Sequence, residues 1–274
     1  MMKSLLFIAI AWTTIYAQSS VWKVQKEGYT LYLAGTIHLL RSQDYPLPKA
    51  YEIAFKDTSV VAFETDISAL EDPATAMLML KAFQSKHNLA SSLSPKTFKR
   101  LDLACQDMGI NIEHFNTFNP AMLLISLMKE KLHALGVDAQ GVDEYYYQKA
   151  LNHNKKVLAL ESIEAQISYL AQMGVGEEEA FVNYSLDELI NIETDYLTML
   201  SAWRSGDEAK LQKDSPQMAK LLLDRRNSDW LPQLEQYLST KERELVLVGA
   251  AHLVGNNGLL HSLEKLGCKI EKVN

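Results

Sequence analysis

Cysteine is nearly absent from this 274-residue chain: Cys105 and Cys268 are its only two, and no Cys-x-x-Cys occurs. A thiolate-held metal centre is thereby excluded. Positive charge is the minority sign, with 27 Lys and Arg against 34 Asp and Glu and a net charge of −7. No stretch interleaves basic with aromatic residues, so nucleic acid, whose binding needs clustered Lys and Arg, is not an expected partner. The chain also lacks Gly-x-Gly-x-x-Gly, a Walker loop and Gly-x-Ser-x-Gly. Dinucleotide, nucleoside-triphosphate and serine-nucleophile readings therefore have no motif to rest on, and neither cysteine lies near a plausible base.

What remains is the composition of an ordinary globular protein, 47% hydrophobic and 22% charged, long enough to bury a full core. Its N-terminus reads as an export leader. Lys3 supplies a short positive region, Leu5 to Ile15 is mostly apolar, and Tyr16-Ala17-Gln18 offers a small residue at a cleavage point after Ala17. That run is too short to span a bilayer comfortably and fits a signal peptide (residues 1–17) better than an uncleaved anchor. Its removal takes the net charge from −7 to −8. The expected location is periplasmic or secreted, with no membrane anchor in the mature chain. Export permits a disulfide between Cys105 and Cys268, although two buried free thiols are the preferred reading.

The mature chain, 18–274, reads as one α/β (α+β) domain. Residues 21–34 form a hairpin pattern turning at Lys26-Glu27-Gly28, and Ser59 to Glu64 is an apolar strand ending in a carboxylate. Val157-Leu158-Ala159-Leu160-Glu161 is a second strand of that kind, read as buried. Helix signals fill about 67–155 and 163–240, among them the Ser94-Pro95 and Asn119-Pro120 starts and the Gly109 and Gly136 stops. A β-α-β unit from Leu245 to Val273 closes the chain. The pattern predicts a mixed central sheet built from N- and C-terminal strands, with a large helical insertion between them. Met77-Leu78-Met79-Leu80 is read as helix packing rather than as a cofactor box.

One phrase is written twice. Gly35-Thr36-Ile37-His38 follows the strand-like Tyr29 to Ala34, and Gly249-Ala250-Ala251-His252 follows Leu245 to Val248. Such a glycine lets another group approach the backbone closely, and a histidine just beyond it sits at a sheet rim. His38, Glu64, Glu161 and His252 all fall at or just past strand ends, where open sheets bind ligands. Two imidazoles and a carboxylate make up a catalytic metal set, so His38, His252 and Glu64 are the candidate ligands, with Glu161 as base or orienter. Asp143, in Gly141-Val142-Asp143, is a third acidic candidate. Each of these residues taken alone also has an ordinary reading, as a loop histidine or a helix-capping Glu. His133 and His153, near helix C-termini, are read as structural.

On these residues the chain resembles the TraB/GumN (TraB/PrgY/GumN) family, which is related to the Tiki-type metalloproteases. The resemblance runs through Tyr32 to Leu40, Tyr45-Pro46-Leu47-Pro48, Phe63-Glu64, Gly141-Val142-Asp143, Leu160 to Gln166, Arg225-Arg226-Asn227 and Val248 to Gly255. It implies a metal-dependent hydrolase acting on peptide or protein, with manganese or cobalt favoured and zinc possible. His38, Glu64 and His252 would then hold the ion, and Glu161 and Arg226 would stand close by, Arg226 steadying a developing oxyanion. Fold relatives that bind haem or iron imply the alternative, a non-enzymatic protein taking up haem, metal or a peptide signal in the same two-histidine cleft.

Overall fold

The structure is a computed structural model and describes residues 19–212 and 220–274. The leader expected over residues 1–17 lies outside them. A six-stranded sheet forms the centre. It comprises β1 (Val21–Lys26), β2 (Tyr29–Thr36), β4 (Val60–Phe63), β6 (Lys156–Ala159), β7 (Glu244–Gly249) and β8 (Lys269–Lys272), in the order β6-β4-β7-β2-β1-β8. Two short strands, β3 (Leu39–Leu40) and β5 (Ala139–Gln140), pair separately and antiparallel. The pairs β6–β4, β4–β7 and β7–β2 are parallel, while β1 runs antiparallel to both β2 and β8. This is the mixed α/β sheet expected, with the N-terminal hairpin laid beside the C-terminal strands.

The strands that lie innermost are buried along nearly their whole length. β4 reads Val-Val-Ala-Phe and is buried throughout, and β2 is buried from Thr30 to Thr36. Such runs need cover on both faces, which the helices supply. They include α1 (Lys49–Asp57), α5 (Val142–Asn152), α7 (Glu178–Ser205) and α9 (Arg225–Tyr237). The strand expected as buried at 157–161 instead occupies the sheet edge as β6, where its residues are exposed or half-buried. Its carboxylate, Glu161, is nevertheless drawn in by a bond from its own N–H to the Glu64 carbonyl, 2.9 Å.

Helices away from the sheet carry their own cores. α3 (Pro95–Asp107), α4 (Pro120–Ala134) and α7 bury Leu101, Cys105, Leu123, Leu127 and Leu186 together. Ser94 caps α3 as its sequence signalled, its hydroxyl accepting from the Thr97 N–H at 3.2 Å. Asn119 stands at the N-cap position of α4, as its sequence signalled, but its side chain makes no capping bond and its amide donates to the Ala171 carbonyl at 2.7 Å. The Met-rich run lies on α2 (Pro73–Ala82), where Leu78 and Met79 pack inward on the Phe83 cluster and Met77 faces solvent. Cys105 and Cys268 are buried free thiols. Among the described residues no helix is long and apolar enough to cross a membrane.

Candidate functional site

The two glycine phrases leave adjacent parallel strands, because β2 and β7 pair with Gly35 opposite Val248 and Thr36 opposite Gly249. Each glycine is there for space. A Cβ on Gly35 would sit 3.0 Å from the Ala250 Cβ and 3.1 Å from its Cα, so the first phrase is seated on the second. The Gly35 carbonyl is pinned from the other side by the Tyr51 hydroxyl, 2.5 Å, and the Trp203 indole N–H, 2.8 Å. A Cβ on Gly249 would meet Glu64 Oε1 at 3.2 Å, His252 Cδ2 at 3.6 Å and His38 Nε2 at 4.0 Å. The doubled phrase and the β4 carboxylate therefore converge on one small space above Gly249.

His38 leans into that space from its exposed side. Its Nδ1–H donates to Asp143 Oδ2 at 3.0 Å, which leaves Nε2 facing Gly249. Asp143 is placed by backbone rather than by chance. β3 and β5 pair across Leu39 and Gln140, the Val142 N–H donates to the Ile37 carbonyl at 3.0 Å, and Gly141 lies flat against His38. A Cβ on Gly141 would fall 2.2 Å from the His38 carbonyl oxygen, so only glycine fits. Burial opposes protonation of the ring, but with 65% of its side chain open to solvent the Asp143 carboxylate prevails, and His38 is raised from 6.5 to about 9.

His252 is the opposite case. It is 3% exposed and lies against the Trp230 ring at 4.5 Å between centroids. Asn227 donates its side-chain N–H bonds to the His252 and Asn257 carbonyls, which turns its Oδ1 toward His252 Nδ1 at 2.7 Å. Nδ1 thus carries the proton, and Nε2 accepts from Arg226 Nη1 at 3.0 Å. Burial pushes this imidazole down to about 4, so it is neutral at neutral pH.

Arg226 joins the remaining groups. It enters from the first turn of α9, follows a π-helical turn at Lys220–Asp224, and is 7% exposed. Nη2 donates to Glu64 Oε2 at 2.5 Å and to Glu161 Oε1 at 2.6 Å, and Nε lies 3.1 Å from each Glu161 oxygen. Nη1 serves His252 and the Leu222 carbonyl, and the guanidinium lies 4.7 Å over Trp230. Glu64 also accepts from the Gly249 N–H at 2.6 Å. Burial alone would raise its carboxyl, but the charges of His252, Arg226 and His38 outweigh it and hold Glu64 at about 2. Because His252 is itself uncharged above about 4, Arg226 carries most of that pull at neutral pH. For Glu161, burial pushes the carboxyl above its ordinary value against the pull of Arg226.

All six residues expected from the sequence are thus brought to one sheet edge. Asn227, Trp230 and Gln166, whose amide lies 3.3 Å from Glu64 Oε2, complete the shell. Arg226, Asn227 and Trp230 lie within one turn of each other on the buried face of α9, a helical spacing that the sequence does display. Arg226 was among the expected residues, whereas Asn227 and Trp230 were not, because no motif marks an asparagine as a histidine's orienter or a tryptophan as its cover.

The donor types suit a divalent ion, but their arrangement here does not. His252 turns Cδ2 toward the Gly249 space and commits Nε2 to Arg226, while both Glu64 oxygens are engaged by Arg226 and the Gly249 N–H. Among the described residues no three His, Cys, Asp or Glu side chains stand as ligands of one ion. Arg226 likewise has every N–H bonded, so as placed it is a hub and has no N–H left for an oxyanion.

A model of the TraB/PrgY/gumN family matches residues 20–272, nearly all that the structure describes. The chain belongs to that family. Among curated proteins it is similar to the uncharacterized protein YbaP of Escherichia coli K12 and to that of Shigella flexneri. Each is 25% identical over 234 residues, covering 83% of this chain and 85% of the relative. No solved structure matches it.

Proposed function

We propose that the chain is a hydrolase, cleaving peptides, whose reaction centre is the space above Gly249. The observation that carries this reading is His38, a solvent-reachable imidazole with Nδ1 held by Asp143 and Nε2 turned to that space. An oriented imidazole of this kind takes a proton from water through Nε2 while its carboxylate partner steadies the imidazolium that forms. Glu64, fixed by Arg226 and the Gly249 N–H, lines the same space with a permanent negative charge. Asp143 Oδ1, buried without a hydrogen-bond partner among the described residues, keeps capacity for a further polar group beside the dyad.

The kinship with Tiki-type metalloproteases that the TraB/GumN resemblance implies favours peptides as substrates, and manganese, cobalt or zinc as the ion. No step is assigned to an ion here, because the residues as arranged do not hold one. Digestion of a peptide library by the exported chain, with and without chelator, tests the reading. Cleavage by the native chain that falls at least about 100-fold in His38→Ala is expected, the scale of a lost general base. A chain that cleaves nothing, or an unaffected His38→Ala variant, overturns it. In the former case haem or peptide uptake, followed by a Soret band or by binding isotherms, becomes the better account of the cleft.

A further inference from the structure

The centre of the site is a cation, and it is a side chain. The five N–H bonds of Arg226 are divided among Glu64, Glu161, His252 Nε2 and the Leu222 carbonyl, and its face lies on Trp230. These acceptors are brought in by unconnected pieces of chain: the ends of β4 and β6, the turn before α9, and the α10 turn (Ala250–Leu253) after β7. A guanidinium cannot shed its charge, and it presents donors in the fork that two carboxylates and an imidazole lone pair require. An ion bound to Glu64 and His252 would take from Arg226 two of its acceptors and would stand beside it as a second buried positive charge.

We propose that Arg226 is the resident cation of this centre, filling the place between Glu64, Glu161 and His252 so that the folded chain takes up no divalent ion there. The inference concerns the same residues as the hydrolase reading but does not depend on it, since its test counts metal and stability rather than cleavage.

The native chain is exposed to Mn²⁺, Co²⁺ and Zn²⁺, desalted and analysed by elemental mass spectrometry. No stoichiometric metal that depends on His252 is expected. One equivalent retained by the native chain and lost in His252→Ala overturns the proposal. A second arm removes the charge while keeping an unbranched stem. Arg226→Met is expected to melt roughly 10 °C lower, the scale of an uncompensated buried carboxylate pair. Added Zn²⁺ should recover part of that loss in the variant while leaving the native melting temperature unmoved. A variant as stable as the native chain contradicts the proposal. Should Arg226→Met fail to fold, ¹⁵N spectra of the native imidazoles decide: an unchanged His252 in the presence of Co²⁺ supports it, and joint broadening of His38 and His252 overturns it.

Discussion

His38 and His252 occupy equivalent places in a repeated phrase, yet the surroundings give them opposite chemistry. His38 shares its Nδ1 proton with a carboxylate in a solvent-reached cleft and is held protonated up to about 9. Its base form is then the minor one at neutral pH, and hydrolysis should accelerate as pH rises toward that value. In Asp143→Asn the carboxylate is gone, so the rise of the pH–rate profile should move down toward the ordinary imidazole range near 6.5. A profile identical in the two proteins would remove Asp143 from the mechanism. His252 is buried and neutral, lowered by burial to about 4. The unfolded chain binds a proton at this site near 6.5 and the folded chain does not. The contribution of this site is therefore full above 6.5 and falls as pH drops toward 4, by on the order of 3 kcal/mol, whereas that of the His38–Asp143 pair is full below 6.5 and lost as pH rises through about 9. Glu64, held at about 2, adds a second loss that begins as pH passes below its ordinary value of 4.5 and runs down to 2. Urea unfolding at stepped pH checks both, and His252→Gln should flatten the first stage and shorten the second, because the His252 charge below about 4 is part of what holds Glu64 down.

At the scale of the element, the strand ends are what the sequence displayed most legibly. An apolar run, a glycine and a histidine at a fixed offset reflect a parallel strand turning at a sheet rim, and both copies do so. The glycines themselves predict measurable costs. Gly35→Ala would force a Cβ onto the Ala250 backbone at 3.1 Å, and a loss of about 1–3 kcal/mol in chemical denaturation is expected. Gly141→Ala is more severe, because the clash is with the His38 carbonyl itself, 2.2 Å away. That variant should lose the β3–β5 pairing, which hydrogen exchange at Leu39 and Gln140 would report. Illegible from sequence was anything that depends on which elements become neighbours. β6 looked buried because its residues are apolar, and it lies at the edge because no strand pairs beyond it. Asn119 occupies the N-cap position its sequence signalled, but the bond from its amide to the Ala171 carbonyl on another element turns the side chain so that Oδ1 caps no N–H.

At the scale of the whole molecule, residues as far apart in sequence as His38 and His252 meet because β7 inserts between β4 and β2. That insertion joins the N-terminal and C-terminal strands, and the expectation of one sheet with helical segments between them followed from apolar runs near both ends. The identities of the converging residues were legible, whereas their connections were not. A metal triad and an arginine-centred hub call for nearly the same residue types; the difference lies in which way the His252 ring turns and where Arg226 places its fork. The family match over 20–272 spans both glycine phrases.

Cleavage is assigned to the single space that the two phrases enclose above Gly249. Gly249→Ala tests that assignment most directly, since the added Cβ would fill that space 3.2 Å from Glu64 Oε1 and 4.0 Å from His38 Nε2. A folded variant is expected, with circular dichroism like that of the native chain, that no longer cleaves the peptides the native chain cleaves. A Gly249→Ala protein that folds and cleaves them at the native rate would contradict it.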